Sequence, residues 1–181
     1  MKKLSLDELN RIDVARFKEA EKLPLVVVLD NIRSMNNTGS FFRTGDAFRI
    51  NRIFLTGITA KPPNKEITKT ALGSTESVDW EYEKNTIDAV HKLKQSGYGV
   101  YAIEQCDGAQ SLDQFNIETH EKIAIVFGNE VKGVQQAVVD ECDGCIEIPQ
   151  FGTKHSFNVS VSGGIVLWDL FLKYKMRWSK W

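Results

Sequence analysis

The sequence predicts an α/β fold in which an open, mainly parallel sheet carries helices on both faces. Short apolar runs dominated by Val and Ile recur between turn residues, and strands apolar on both sides are typical of a covered parallel sheet. Helical patterns alternate with these runs along the chain. A length of 181 residues, with 42% apolar and 26% charged residues, suits one domain that buries its own core.

The first predicted element is a single amphipathic helix at 4–21. Its apolar positions are Leu4, Leu6, Leu9, Ile12 and Phe17. We therefore divide the chain into an N-terminal helical extension at 1–22 and a main domain at 23–181, which ends in a basic, aromatic tail.

Strands and helices then alternate. The predicted strands are 25–30, 52–57, 99–104, 122–128 and 145–149. The predicted helices are 38–49, 86–96, 133–142 and 158–175. The stretch at 58–84, with Pro62, Pro63 and Trp80, is predicted to be less regular.

Composition excludes several classes of protein. The longest apolar runs, such as LVVVL at 25–29, are far too short to span a bilayer. The first 22 residues alternate acidic and basic side chains and lack the apolar segment of a secretory signal, so we expect a cytoplasmic protein. Three cysteines, an odd number, fit a reducing compartment and argue against a disulfide framework.

Net charge does not indicate a nucleic-acid partner, because 23 basic residues face 24 acidic ones. The C-terminal KYKMRWSKW at 173–181 differs, with four cations and three aromatic residues. Such a mixture contacts phosphates and stacks on bases. Alternatively, Trp178 and Trp181 pack on the core or a partner subunit while the cations favour a helix C-terminus. Both interpretations stay open.

Three polar segments follow predicted strands, and ligands of open α/β sheets bind at the carboxyl ends of strands. They are NNTGSFFRTGDAF within 36–48, VFGNEVKG at 126–133 and IPQFGTKHSFN at 148–158. The third is longer than the two to six residues, roughly, that a connection needs, which indicates a ligand loop. A GxGxxG motif and a phosphate-loop lysine are both missing, which argues against an NAD enzyme, an ATPase and a Rossmann-type methyltransferase.

Taken singly, the first two segments have structural explanations. Asn36 or Asn37 could cap a helix, with Arg43 paired to Asp46, although Arg43 points away from the apolar face of that helix. The glycines around Asn129 and Glu130 suit a turn, and the acid suits a helix N-terminus. Each segment alone is ambiguous.

The cysteines and His155 suggest chemistry only weakly. CDGC at 142–145 supplies one pair, a zinc site needs two more ligands, and Cys106 has no pair of its own. A helix ends at Cys142, whereas the redox motif needs one to begin there. We therefore favour ordinary packing and predict no metal. His155 is either a ligand or RNA contact or a solvated loop residue.

Together, the three segments resemble the SpoU/TrmH class of SPOUT RNA 2′-O-ribose methyltransferases over about residues 24–172. NTGSFFRT supplies the Asn-x5-Arg motif with Asn37 and Arg43, FGNEVKG supplies Glu130, and IPQFGTKHSFNVSVSGG supplies Ser156 and Asn158. Phe157 departs from the usual Leu, and Ser162, Gly163 and Gly164 stand where alanines are common.

The resemblance implies a C-terminal deep trefoil knot after residue 122 and a homodimer that uses S-adenosylmethionine to methylate RNA. The implied catalytic residues are Asn37, Arg43, Glu130, Ser156 and Asn158. Backbone groups near 103–104, 127–130 and 148–157 are implied to hold the cofactor. The implied cofactor-binding residues are Ile103, Glu104, Phe127, Gly128, Asn129, Ile148, Gln150 and Phe157.

A guanidinium with a pKa above about 12 is a poor base, so we interpret Arg43 as a clamp on an RNA phosphate, supplied from its own subunit or across a dimer. The compact chain favours tRNA as the substrate, with rRNA as the alternative. A catalytically silent RNA-binding protein and a small-molecule O-methyltransferase are the other functions considered.

Overall fold

The computed structural model describes residues 1–5 and 7–177. The strands of its sheet are β1 (Leu23–Asp30), β2 (Ile50–Thr56), β3 (Asp79–Glu83), β4 (Tyr98–Ile103), β5 (Gln110–Ser111), β6 (Lys122–Phe127) and β7 (Gly144–Glu147). They lie side by side in the order β3-β2-β1-β6-β4-β7-β5, and every neighbouring pair is parallel. This confirms the predicted parallel α/β sheet.

Helices cover both faces of the sheet. They are α1 (Val14–Glu19), α2 (Met35–Ala47), α3 (Lys65–Ala71), α4 (Ser74–Ser77), α5 (Thr86–Gln95), α6 (Gln136–Val139) and α7 (Val159–Arg177). Alternate residues of β1 enter two separate apolar clusters, since Val27 packs with α2 and α7 whereas Val28 packs with α5 and α6. Burial of β1 on both sides explains its unbroken apolar sequence.

The close approach of α2 to its neighbours depends on glycine. A Cβ at Gly39 would lie 2.5 Å from the Ile67 carbonyl oxygen of α3. A Cβ at Gly163 would lie 2.3 Å from the Phe41 ring, so α7 packs on α2 within one subunit. By contrast, a Cβ at Gly164 would meet nothing within 4 Å.

The five predicted strands are present with shifted ends, but β3, β5, α3 and α4 were not predicted. Charged and aromatic residues alternate in β3, DWEYE, because it is an edge strand that pairs only with β2 in the described sheet. The Asn64 side chain begins α3 by accepting hydrogen bonds from the backbone N–H groups of Glu66 and Ile67. The predicted irregularity of 58–84 is therefore wrong for much of that stretch.

The predicted helix at 4–21 is wrong in extent. A 3-10 turn at Asp7–Leu9 is followed by Asn10 in the left-handed region, at φ 48°, and α1 begins after an Asp13 cap. Phe17 is buried, whereas Leu4, Leu9 and Ile12 are exposed, and Leu6 lies outside the described residues. The helix predicted at 133–142 is likewise reduced to α6, because Gly133 has φ 68° and ends a turn.

The described part of the C-terminal tail packs on the domain. Tyr174 is fully buried, Lys173 Nζ donates to the Leu112 carbonyl at 2.6 Å, and Arg177 donates to the Ile117 carbonyl at 3.5 Å. These contacts favour the packing interpretation for 173–177. Trp178 and Trp181, on which that interpretation also relied, lie outside the described residues. None of the described helices is both long and apolar enough to cross a membrane.

Candidate functional site

A cavity of about 1120 Å³ opens at the carboxyl edge of the sheet, beyond β4, β6 and β7. All eight residues predicted to hold a cofactor line it: Ile103, Glu104, Phe127, Gly128, Asn129, Ile148, Gln150 and Phe157. The segments that follow β4, β6 and β7 thus meet at one cavity, because the carboxyl ends of these parallel strands lie at the same edge of the sheet. Contact of these residues with a cofactor stays a prediction.

The segment FGNEVKG forms a closed turn on the cavity wall. Asn129 and Gly133 exchange backbone hydrogen bonds of 3.0 and 2.8 Å, and the Asn129 side chain accepts from the N–H groups of Val131 and Lys132. A Cβ at Gly128 would lie 2.1 Å from the Gly133 carbonyl carbon. Glycine is therefore required for the turn to close. No helix begins at Glu130, since α6 starts at Gln136.

Glu130 joins this turn to the start of α2. Its carboxylate accepts hydrogen bonds from the backbone N–H groups of Arg33 and Ser34 and from the Asn37 side-chain amide, each at 2.9 Å. Burial by itself raises the pKa of a carboxyl, but these three donors favour the ionised form, and the pKa of Glu130 is lowered from its ordinary value. Glu130 is therefore an ionised anchor.

Asn37 continues the network toward the third segment. Its side-chain oxygen accepts a hydrogen bond from the Asn158 amide at 3.3 Å. The Asn158 oxygen in turn accepts from the Ser160 N–H at 2.9 Å, at the start of α7. The helix cap of α2 is Ser34, so neither Asn36 nor Asn37 has the capping role considered above. Residues 37, 130 and 158, one from each segment, form one hydrogen-bonded chain.

Ser156, Phe157 and His155 line the same cavity. The Gln105 side chain, in the connection after β4, donates to the His155 carbonyl at 2.8 Å. This contact ties the loop at 148–158 to the end of β4. The structure therefore gathers Asn37, Glu130, Ser156 and Asn158 into one region.

Arg43 is not part of that region within one chain. It is exposed on α2, nearly two turns beyond Asn37, and it does not line the cavity. It forms no ion pair with Asp46, which accepts a hydrogen bond from Ser77 instead, so the pairing considered above is wrong. Across residues 1–5 and 7–177, Arg43 has neither an ion-pair nor a hydrogen-bond partner.

Asp30 is a buried polar residue that the sequence analysis missed. It is fully buried at the end of β1, and its carboxylate accepts hydrogen bonds from Thr86 Oγ1 at 2.5 Å, Asn31 Nδ2 at 2.8 Å and the Gln135 N–H at 3.2 Å. It thereby fixes α5 and the segment before α6 to β1. The sequence feature that could have indicated Asp30 is an acidic residue at the end of an otherwise apolar run, LVVVLD.

The cysteines are neighbours in a way that their spacing conceals. Cys145 of the CDGC segment contacts Cys106 across strands, with the two sulfur atoms 2.7 Å apart, so Cys106 does have a partner. Burial raises the pKa of the Cys142 and Cys145 thiols to about 12, which keeps both protonated near neutral pH. Within the described chain, no three His, Cys, Asp or Glu side chains are grouped as metal ligands.

Comparison with known sequences identifies relatives. The sequence model of the SpoU rRNA Methylase family matches residues 24–168. A Staphylococcus aureus protein assigned to the TrmH family of tRNA/rRNA methyltransferases is 30% identical over 86% of this chain and 62% of its own length. The 23S rRNA (guanosine-2′-O-)-methyltransferase RlmB of Neisseria meningitidis is 33% identical over 80% of this chain and 56% of its own length. The chain thus spans less than two thirds of either relative.

Solved structures share the fold. The TrmH/SpoU tRNA modifying enzyme of A. aeolicus superposes with a TM-score of 0.79 at 24% identity, over 91% of this chain and 83% of that one. The rRNA methyltransferase of Sinorhizobium meliloti, solved with S-adenosylmethionine bound, gives a TM-score of 0.76 at 25% identity, over 84% of this chain and 58% of that one.

Proposed function

Because the chain belongs to the SpoU rRNA methylase family, we propose that it transfers a methyl group from S-adenosylmethionine to a ribose 2′-hydroxyl of RNA. One observation carries the proposal. The hydrogen-bonded chain of Glu130, Asn37 and Asn158 links all three family segments at the mouth of the cavity. Such a network fixes the positions of side chains, and positioning supplies much of the rate in group transfer.

The cavity fits S-adenosylmethionine by size and chemistry. A volume of about 1120 Å³ is ample for the cofactor. The glycine-rich turn at 127–133 and the polar loop at 148–158 bring backbone groups to the wall. The cofactor carries no phosphate, so no phosphate-binding lysine is needed. It supplies an electrophilic methyl group on a sulfonium, and the residues around it orient the accepting hydroxyl.

In this mechanism the residues of the chain have separate tasks. Glu130 holds the start of α2 through Arg33 and Ser34, and it orients Asn37. Ser156 and Asn158 present hydroxyl and amide groups where the cavity meets solvent. Arg43 clamps the neighbouring RNA phosphate and stabilises charge on the 2′-oxygen as its proton is released to water.

We propose that two copies of the chain form the complete site. A stripe on α7, formed by Val161, Gly164, Trp168, Leu172 and Met176, leaves its four apolar side chains exposed at helical spacing. Trp168 also extends this surface to Phe48, the residue that follows α2, since the centroids of the two rings lie 5.8 Å apart. We propose that pairing of the stripes places Arg43 of one subunit at the cavity of the other, in keeping with its position outside its own cavity.

Trp168→Glu is expected to convert the dimer to a monomer, because it places a charge in the middle of the α7 stripe. Light scattering after size exclusion measures the mass. Ile58→Glu is the control, since Ile58 is also an exposed apolar side chain but lies outside α7, and it should leave the dimer intact. A dimer that survives Trp168→Glu would contradict the proposed interface.

Removal of metal is expected to leave cofactor binding unchanged. Calorimetric titration of S-adenosylmethionine with and without EDTA should give the same affinity within about twofold, because binding relies on backbone and side-chain groups of the cavity. Abolished binding in EDTA would contradict the metal-free site.

The double substitution Cys142→Ser and Cys145→Ser is expected to leave methyl transfer within a few-fold of wild type. Burial raises the pKa of both thiols to about 12, and neither belongs to a described group of three metal-ligating side chains, so we expect neither to take part in the chemistry. Single-turnover rates measure the effect, with circular dichroism as the check on folding. A folded but inactive variant would assign CDGC to the chemistry after all.

Of the two RNA classes we propose tRNA as the substrate, with rRNA as the alternative. The support is the share of each chain that is aligned, since the A. aeolicus tRNA modifying enzyme aligns with this chain over most of both chains. Transfer of tritiated methyl groups to separated tRNA and rRNA, followed by mapping of ribose methylation, tests the proposal. Label in rRNA alone would favour the alternative. RNA binding without label would indicate a silent protein, and label only in small molecules a different methyltransferase.

We also infer that the chain is knotted beyond β6. The support is that the segment after β7 contacts both the connection after β4, where Gln105 donates to the His155 carbonyl, and α2, where Asn158 donates to Asn37. A crystal structure with cofactor bound would trace this crossing directly. A path that passes outside the β4 connection would exclude the knot.

A further inference from the structure

The carboxylates of the cavity form no ion pair within the described residues. Four acidic residues line it: Glu104, Asp107, Glu130 and Glu147. None of them forms an ion pair with any described lysine, arginine or histidine, although other acids of the chain do. Among the described lining residues, Lys132 is the single lysine or arginine. The cavity wall therefore carries uncompensated negative charge.

Glu104 is the carboxylate most firmly built into the wall. One oxygen accepts a hydrogen bond from the Val134 N–H at 3.0 Å, and the other accepts from the Gln105 N–H at 3.0 Å. A Cβ at Gly133 would lie 2.1 Å from the first oxygen, so glycine at that position leaves room for the carboxylate. Both donors are neutral backbone groups, which orient the charge without cancelling it.

The other three acids are less suited to act on a ligand in the cavity. Glu130 is committed to three donors at the start of α2. Asp107 is exposed to solvent, which screens its charge. Glu147 lies in β7, and no described group donates a hydrogen bond to its carboxylate, so its charge is not held in one position. Glu104 alone lies at the end of β4 between the two loops, half-buried and fixed on both oxygens.

We propose that the charge of Glu104 makes the cavity selective for the sulfonium cofactor over its neutral thioether product, S-adenosylhomocysteine. The proposal rests on the proposed cofactor. Loss of the methyl group removes the positive charge, and with it the attraction of a fixed carboxylate in a partly desolvated wall. Glu104 is thus a specificity-determining residue that favours exchange of product for fresh cofactor after each transfer.

Glu104→Gln tests the proposal, because it removes the charge with little change of shape. Calorimetry with S-adenosylmethionine should show about a tenfold loss of affinity, equivalent to about 1.4 kcal/mol. Affinity for S-adenosylhomocysteine should change less than about twofold. Sinefungin, which carries an ammonium at the position of the sulfonium, should follow S-adenosylmethionine.

Two controls isolate the charge. Glu66→Gln removes the same charge from an exposed site on α3 outside the cavity, and it should leave all three affinities unchanged. Gln105→Ala breaks the contact with His155 but keeps the charge, so it should weaken the charged and neutral ligands by equal factors.

The results distinguish failure of the Glu104 proposal from failure of the proposed cofactor assignment. Equal losses for charged and neutral ligands in Glu104→Gln would mean that Glu104 only positions the loops, and this result overturns the inference. Unchanged affinity for all ligands overturns it as well. Failure of the wild-type protein to bind any of the three ligands would overturn both the cofactor assignment and the inference.

Discussion

Arg43→Ala is expected to lower methyl transfer to RNA by about a thousandfold while the affinity for S-adenosylmethionine stays within about twofold. Arg43 lies outside the cavity and forms no hydrogen bond or ion pair with its described lining residues, so its loss should not disturb the cofactor. Its free guanidinium is available for the RNA phosphate and the 2′-oxygen. Single-turnover rates and calorimetry on the same preparation measure the two effects. A matching loss of cofactor affinity would contradict the clamp.

Arg43→Lys distinguishes a clamp from a base. Lysine keeps the positive charge but loses the planar fork, so a clamp should retain weak activity with a flat pH profile around neutrality. A base would behave differently, because an ammonium with a pKa of about 10.4 releases its proton more readily than a guanidinium. A rate that rises steeply between about pH 6 and 10 in this variant alone would contradict the clamp.

Mixed dimers determine which subunit supplies Arg43. An Arg43→Ala subunit paired with an Asn158→Ala subunit restores one intact site if Arg43 acts across the interface. The same mixed dimer is inactive if Arg43 acts within its own subunit. Differently tagged subunits, purified as the mixed pair, make the two cases distinguishable by rate alone. Recovered activity near half that of wild type is the expected result.

The central strands could be predicted because local sequence and burial agree there. Strands such as β1 and β6 are buried on both faces, and their unbroken Val and Ile runs report that burial directly. Edge strand β3 has the sequence DWEYE, in which charged and aromatic residues alternate. It therefore lacks the unbroken apolar run that indicates a strand buried on both faces. The helix predicted at 4–21 was wrong in extent, because Leu4, Leu9 and Ile12 have helical spacing but are exposed.

The residues that line the cavity could be named from the sequence, but their hydrogen-bonded network and the position of Arg43 outside the cavity could not. Three polar segments at strand ends were evident in the sequence, whereas the contact of Asn37 with both Glu130 and Asn158 joins residues 93 and 121 positions apart. The contact of Cys106 with Cys145 was missed for the same reason, since the connection after β4 meets β7 only once β4 and β7 are neighbours in the folded sheet. Spacing along the chain carries no information about such pairs.

Asn37→Asp is expected to disable the site and to reverse the pH dependence of its stability. Asn37 is 9% exposed, and its amide donates to Glu130 at 2.9 Å, so the substitution sets two carboxylates against each other. Methyl transfer should fall by about a hundredfold or more, because repulsion between the two carboxylates displaces the side chain that also holds Asn158. The free energy of unfolding should fall by about 2 kcal/mol at pH 7.

The sign of the pH effect identifies the cause. In the wild-type protein the pKa of Glu130 is lowered, so its contribution to stability is present above the unfolded pKa and is lost as the pH falls through the folded pKa. In Asn37→Asp the facing carboxylates raise the pKa of the pair, so stability is retained in acid and lost as the pH rises. Melting temperatures from about pH 4 to 8 should therefore diverge from wild type toward neutral pH. Asn36→Asp, an exposed neighbour on the same helix, is the matched control and should parallel wild type; equal curves for all three proteins would mean that Asn37 and Glu130 are not coupled.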